Sequence, residues 1–400
     1  MSCLSQRLLI FAVDFIFSIN EMDINETEFE EIRPYYDSEV DGAISRLLNE
    51  SGFRKTVKYF FPDVPFEMVE NMLRNIHTIK DFQTQFIARL VNGIEKKYTS
   101  GVTFSGLENI PEGKGYLIVS NHRDIILDSA FLNTYLAQHN RETSEIAIGS
   151  NLLIFPWITD MVKLNRTFVV KRNLSVKELM VSSLVQSKYI RHTIIDKKTS
   201  IWIAQREGRT KNGDDKTQGS VLKMFNMAAQ GDVISSLSDM NIVPMSISYE
   251  YDPVDIYKVI EQYNKKVDST FKKNKVDDVS GMRNGITCEK GRVNIHLGKP
   301  INEDLLKMPK AANKNLQYDE IAKLIDKKIY QGYVLYPINY VTADILSGSN
   351  KFSDKYTAQE KEKAVNYIET QAKNFSGDIQ MQKEMLMQIY ANPVFNKLGH

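Results

Sequence analysis

Two cysteines, Cys3 and Cys288, are all that the 400 residues contain, and they stand far apart with no Cys-x-x-Cys or Cys/His spacing. That excludes a disulfide framework, offers no zinc signature and suits a reducing compartment. An excess of either charge is missing too, since 51 Lys and Arg face 50 Asp and Glu. With no net field to hold a polyanion, nucleic acid is not an expected partner, and any basic site must come from local clustering. Long apolar runs are also lacking. Leu8 to Phe17, the one stretch open to confusion with a membrane span, follows Arg7, is interrupted by Asp14 and falls short of the roughly 20 residues required. It reads either as an anchor-like or signal-like segment without a small-residue cleavage pattern, or as sequence upstream of a start at Met22.

Nucleotide motifs fail on their context. His122-Arg123-Asp124 has the letters of a kinase catalytic loop, but Ser129 stands where its Asn is required, and there is no Asp-Phe-Gly or Gly-x-Gly-x-x-Gly. Gly208 to Gly213 has P-loop spacing, but Asp214 and Asp215 replace the Lys and Ser/Thr and would repel a phosphate. No internal repeat or low-complexity tract is present.

What is present is the composition of a folded globular chain, 42% hydrophobic and 25% charged. From Glu30 to about Lys97, apolar positions such as Ile44, Leu47, Leu48, Met68, Met72 and Leu73 recur at helical spacing. Pro34, Pro62 and Pro65 divide this stretch into three or four helices. Beyond Gly101, β-prone runs at Tyr116 to Val119, Thr167 to Val170, Ser200 to Ala204, Ile242 to Ser248 and Arg292 to Leu297 alternate with helical stretches, which predicts an α/β fold. After Pro300 the pattern is helical again, with Ser347 to Phe352 as a linker before a final helix pair. The expected organisation is an uncertain apolar segment at 1–21, a helical leader at 22–100, a central domain at 101–305 and a C-terminal helical region at 306–400.

The chemistry concentrates at Asn121-His122-Arg123-Asp124-Ile-Ile-Leu-Asp128, a polar turn between an apolar strand and an apolar-faced helix. A histidine at a strand end beside carboxylates can be oriented and its imidazolium stabilised, as a general base near neutral pH requires. At 100° per residue neither Asp124 nor Asp128 shares a helical face with His122, so the ring must fold back from the turn over the first helical turn. Asp124 suits an N-cap, which favours Asp128 as the partner. His77, His139, His192, His296 and His400 have no comparable surroundings.

Downstream, Asn165 to Arg172 ends in the cations Lys171 and Arg172, and Ile201 to Gly213 carries Arg206, Glu207, Gly208, Arg209 and Lys211. Cations at the C-terminal ends of strands lie where α/β folds bind ligands, arginine matches phosphate bidentately, and glycines permit close backbone approach. Glu207 would orient such an arginine or touch acceptor hydroxyls. Ile242-Val-Pro244-Met-Ser-Ile247 reads as a buried strand with its proline at the ladder's start or on an edge. Two stretches carry paired readings. Leu152 to Ile158 reads as an acyl-chain groove or membrane-interface segment, or as a buried helix. The lysine-rich Tyr263 to Asp278 reads as a solvated insertion, with anionic headgroup contact as the lesser reading.

As an ordered set, these blocks resemble the glycerolipid acyltransferase family, which acylates glycerol-3-phosphate and its monoacyl derivative. The family's Asn-His with an aspartate five residues on is similar to Asn121-His122 through Asp128, although the interval here is one residue longer, so Asp124 stays open as the alternative. Phe168 to Arg172 resembles the second block, Glu207-Gly208-Arg209 the third and Val243-Pro244 to Ile247 the fourth, over roughly residues 100 to 300. The resemblance implies a mixed-sheet domain in which His122 deprotonates the acceptor hydroxyl. That hydroxyl attacks the thioester of acyl-CoA or acyl carrier protein, while Arg172 and Arg209 hold the acceptor phosphate and Lys171, Glu207, Gly208 and Lys211 complete the substrate site. It implies no cofactor or metal, a lipid or glycerol-phosphate acceptor, and peripheral attachment to the cytoplasmic face of a membrane in phospholipid biosynthesis. The longer His122–Asp128 interval raises one alternative, a non-catalytic lipid- or partner-binding protein that keeps the fold.

Overall fold

A computed structural model of the protein describes residues 26–272 and 275–399, so the stretch from Leu8 to Phe17 lies outside the described residues. The described chain opens with four helices, α1 (Val40–Asn49), α2 (Ser51–Phe60), α3 (Phe66–Arg74) and α4 (Ala88–Tyr98), the last entered through the helical turns Ile79–Asp81 and Phe82–Ile87. Pro62 and Pro65 fall between α2 and α3, because a residue without an N–H cannot continue a helix. These helices bury Leu47, Phe53, Leu73, Phe82 and Phe86 against one another, with Leu164 and Trp157 packed in from the following domain.

Seven strands follow, β1 (Val102–Ser105), β2 (Leu117–Ser120), β3 (Glu145–Gly149), β4 (Thr167–Val170), β5 (Ile201–Ala204), β6 (Ile242–Tyr249) and β7 (Val293–Leu297). They form one sheet in the order β1-β7-β6-β2-β5-β3-β4. The run from β6 to β4 is parallel, whereas β7 is antiparallel to β6 and parallel to β1, so the sheet is mixed. Central β2 is buried at all four residues, as a strand covered on both faces must be. Helices α5 (Leu127–Gln138), α6 (Pro156–Leu164), α7 (Val176–Arg191), α8 (Gly219–Phe225) and α9 (Val233–Ser238) join the parallel strands, and α10 (Asp255–Val267) and α11 (Lys275–Thr287) link β6 to β7. Lys265 and Lys266 at the end of α10 are exposed, as a solvated insertion requires.

Pro244 corrects one part of the expectation: it lies inside β6, paired with Val119 of β2, in a strand that is not an edge and whose pairing with β2 begins two residues earlier, at Ile242. Against β7 the proline does stand at the ladder's start, one residue before the first pair, Met245 with Leu297, and its carbonyl accepts from Gly298 N at 2.9 Å.

The remaining helices are α12 (Asn302–Leu306), α13 (Lys314–Gly332), α14 (Pro337–Ser347), α15 (Ala358–Ala372) and α16 (Ile379–Leu398). Helix α13 lies on the sheet, where Ile321, Ile325 and Ile329 share a core with Leu117, Val119, Ile201 and Ile203. Helices α14 to α16 pack around Tyr251 and Val259, just beyond β6. Among the described residues no helix is long and apolar enough to cross a membrane.

Candidate active site

The parallel strands deliver their C-terminal ends to one edge of the sheet, where the turn after β2 carries His122. Asn121 fastens that turn. Its Nδ2 donates to Ile247 O and its Oδ1 accepts from Ile247 N, both at 2.9 Å, continuing the β2–β6 ladder through a side chain. His122 Nδ1 lies 2.7 Å from Asp128 Oδ2. The histidine side chain is 13% exposed and the aspartate fully buried. Asp128 is otherwise saturated, because Oδ2 also accepts from the N–H groups of Arg123 (2.7 Å) and Asp124 (3.1 Å), and Oδ1 accepts from Tyr249 OH (2.8 Å). Held against an ionised carboxylate, Nδ1 carries the ring proton and Nε2 keeps the lone pair. Trp202 meets the imidazole edge-on, with centroids 5.6 Å apart.

Asp124 does the structural job. Its Oδ1 accepts from Ile126 N and Leu127 N, both at 2.8 Å, capping the start of α5. The helix begins only at Leu127, so the additional residue between His122 and Asp128 is taken up in the non-helical turn and costs no helical register.

The cations of the later blocks separate into two groups. Arg172 Nη1 pairs with Glu207 Oε1 at 2.8 Å, joining the end of β4 to the loop after β5, and Arg172 N donates to Ser150 Oγ beyond β3. Gly208 takes φ +67°, which leaves Glu207 and Arg209 on either side of a sharp reversal. Arg209 is buried, and its Nη1 has no hydrogen-bond partner among the described residues. The N–H of the next residue, Thr210, donates to His122 O at 3.2 Å, which brings this loop against the histidine turn. Lys171 stays outside this group, because its amine pairs with Glu31 of the leader. Lys211 also turns away, to Glu261 of α10 at 2.7 Å. Burial, then the charge of Arg209, brings the Lys211 amine down to about 8. A Cβ at Gly213 would stand 2.3 Å from Ile389 O, so the close backbone approach there is to helix α16.

Behind His122 lies a polar network that sequence reasoning missed. Arg123 is buried and donates to Asp215 (2.6 Å) and Asp252 (3.2 Å). Burial disfavours its charge, but the two carboxylates outweigh that and hold the guanidinium above the usual arginine range. Lys258 donates to Arg123 O at 3.0 Å and pairs with Asp252, and Tyr333 OH donates to Asp215 at 2.5 Å. Tyr367 and Tyr390 close the network on Asp255, whose carboxyl burial pushes up to about 6. The only local signal was the position of Arg123 directly after His122.

Residues 101–248, which contain all four blocks, match the acyltransferase family model. Among solved structures, the chain is similar to the 1-acyl-sn-glycerophosphate (LPA) acyltransferase PlsC from Thermotoga maritima. The identity is 12% and the TM-score 0.36, over 71% of this chain and 93% of that one. No curated protein sequence matches the chain. The similarity to the acyltransferase family is therefore that of residues 101–248, the part of the chain that carries the His122 turn and the strands around it.

Proposed function

We propose that the protein transfers a fatty acyl group from acyl-CoA or acyl carrier protein to a hydroxyl of glycerol-3-phosphate or lysophosphatidate, as a step of phospholipid synthesis at the inner face of a membrane. One observation carries the reading: the 2.7 Å bond from His122 Nδ1 to a saturated Asp128, which leaves Nε2 as a base. His122 Nε2 takes the acceptor's hydroxyl proton as the oxygen attacks the thioester carbonyl carbon. The tetrahedral intermediate then collapses, the C–S bond breaks, and the imidazolium returns its proton to the departing sulfur. The products are an ester and a free thiol. Arg209, buried without a partner for Nη1, and Arg172, oriented by Glu207, hold the acceptor phosphate. Lys171 and Lys211 are engaged by Glu31 and Glu261 instead. The reading needs no resident cofactor or metal.

The competing reading, a lipid- or partner-binding protein without turnover, drew on the longer His122–Asp128 interval. The turn absorbs that residue and the bond is made, which favours catalysis. The test is to supply purified protein with a long-chain acyl-CoA, or the acyl carrier protein thioester, and a panel of glycerol-phosphate acceptors. Thiol release matched by an acylated product in mass spectrometry supports the proposal, and binding of acceptor without either product rejects it.

A further inference from the structure

The ends of the parallel strands opposite His122 open into a cavity of about 950 Å³. Tyr116, on its wall, precedes β2 and His122 follows it, so the length of that strand, about 13 Å, keeps the two places apart. None of the residues assigned to acyl transfer lines the cavity.

Its walls carry seven Lys and Arg against four Asp and Glu, in a chain whose whole excess of positive charge is one. The arginines are answered, Arg33 by Glu30 and Glu39, Arg141 by Glu112 and Arg166 by Glu142. Lys80, Lys114, Lys197 and Lys198 make no ion pair among the described residues. Two acids remain on the walls. Glu145 is buried and accepts from Tyr189 OH at 2.5 Å, and burial holds its carboxyl above the usual carboxylate range against that bond and the charges of Arg166 and Lys197. Asp37 is exposed and accepts from Ile79 N at 2.8 Å. Four free amines thus face one exposed carboxylate.

The fold brings these amines together from three segments. Lys114 and Lys198 each stand three residues before Leu117 and Ile201, which are paired across β2 and β5, so the two lysines enter the sheet side by side. Lys80 comes from the leader, in the turn Ile79–Asp81. Lys198, and Arg166 before β4, hold left-handed backbone at φ +54°, which costs a residue with a Cβ about 1–2 kcal/mol. Turns that glycine would make more easily carry cations instead.

A lysine amine meets a phosphate as a point charge, and amines from three segments need several charges on one compact ligand. A cavity of this size holds a small molecule rather than a polymer. We propose that it is a binding site for a small soluble polyanion of the diphosphate type, separate from the His122 site.

The test is titration calorimetry of the full chain with inorganic pyrophosphate. The wild type binds, more weakly as salt is raised. The triple variant K114Q/K197Q/K198Q binds at least about tenfold more weakly with unchanged thermal unfolding, since exposed lysines without partners contribute little to stability. Lys198→Asn suits the left-handed turn and alone weakens binding about threefold, a second reading should the triple variant unfold. Arg209→Gln, at the other candidate phosphate site, binds pyrophosphate as the wild type does. A wild type that does not bind at about 10 mM pyrophosphate overturns the inference. So does binding that survives the triple variant, binding that Arg209→Gln abolishes, or citrate bound more tightly than pyrophosphate. None of these arms reads turnover, so a failure of the acyl-transfer reading leaves the site standing.

Discussion

Asn392 Nδ2, in the last helix, donates to Asn212 O at 2.7 Å and so fastens the end of the chain to the loop that carries Arg209. Gly213 completes that attachment at φ +78°, with space for no side chain against Ile389 O. Gly208, at φ +67°, has no atom within 4 Å of an added Cβ. The two glycines therefore separate conformational strain from collision. Gly208→Ala costs about 1–2 kcal/mol, from the left-handed backbone alone. Gly213→Ala adds a backbone clash and costs about 3 kcal/mol or more. Urea unfolding of the two variants checks the order.

The two aspartates after His122 have different work, and conservative changes tell them apart. Asp128→Asn removes the charge that orients the ring and stabilises its protonated form, and should lower kcat by roughly 100-fold or more. Asp124→Asn keeps an N-cap oxygen for Ile126 and Leu127, so activity stays within a few-fold and stability within about 1 kcal/mol. Steady-state thiol release and thermal unfolding on both proteins give the comparison.

His122 and Asp128 were legible because they lie within one strand–turn–helix unit, where residue types and spacing restrict the geometry. Their environment was not. Arg123 meets Asp215 and Asp252 across 92 and 129 residues of chain, and in the sequence each of these charges reads as an ordinary surface group. The β-prone runs near β2, β4, β5, β6 and β7 were visible through their continuous or alternating apolar residues. Strands β1 and β3 were not, because edge strand β1 buries no residue fully and β3 mixes Glu145 and Gly149 with a short apolar core. Lys171 and Arg172 are adjacent in sequence, yet one faces the leader and the other the loop after β5, a choice made by tertiary packing.

Removing the Arg123 charge leaves two buried carboxylates without their shared cation. Arg123→Met should destabilise the fold by about 3–5 kcal/mol, measured by chemical denaturation. Arg123→Lys preserves charge but cannot reach Asp215 and Asp252 together with a planar fork, and should recover only part of the loss.

Asp255 makes stability depend on pH. Its carboxyl rises from 3.8 unfolded to about 6 folded, chiefly through burial, against the hydrogen bonds from Tyr390 and Tyr367. The folded state thus binds the proton more tightly, and this group's contribution falls as pH rises from about 4 to about 6. Asp255→Asn keeps an acceptor for the two tyrosines and removes the titration. Relative to the wild type, the variant should gain about 3 kcal/mol between pH 4 and pH 7, whatever constant offset the substitution adds. Urea midpoints across that range supply the measurement, and a flat difference would remove Asp255 as a source of pH dependence.

The central claim is that His122 accepts the proton of an attacking alcohol. Thiol release from a long-chain acyl-CoA, or from acyl carrier protein thioester, in the presence of a glycerol-phosphate acceptor should fall by roughly 100-fold to 10,000-fold in His122→Ala. The thermal unfolding of that variant should remain close to that of the wild type, because the ring's one hydrogen bond among the described residues is to Asp128, which keeps three other donors. Turnover equal to the wild type in a folded His122→Ala protein would contradict the account.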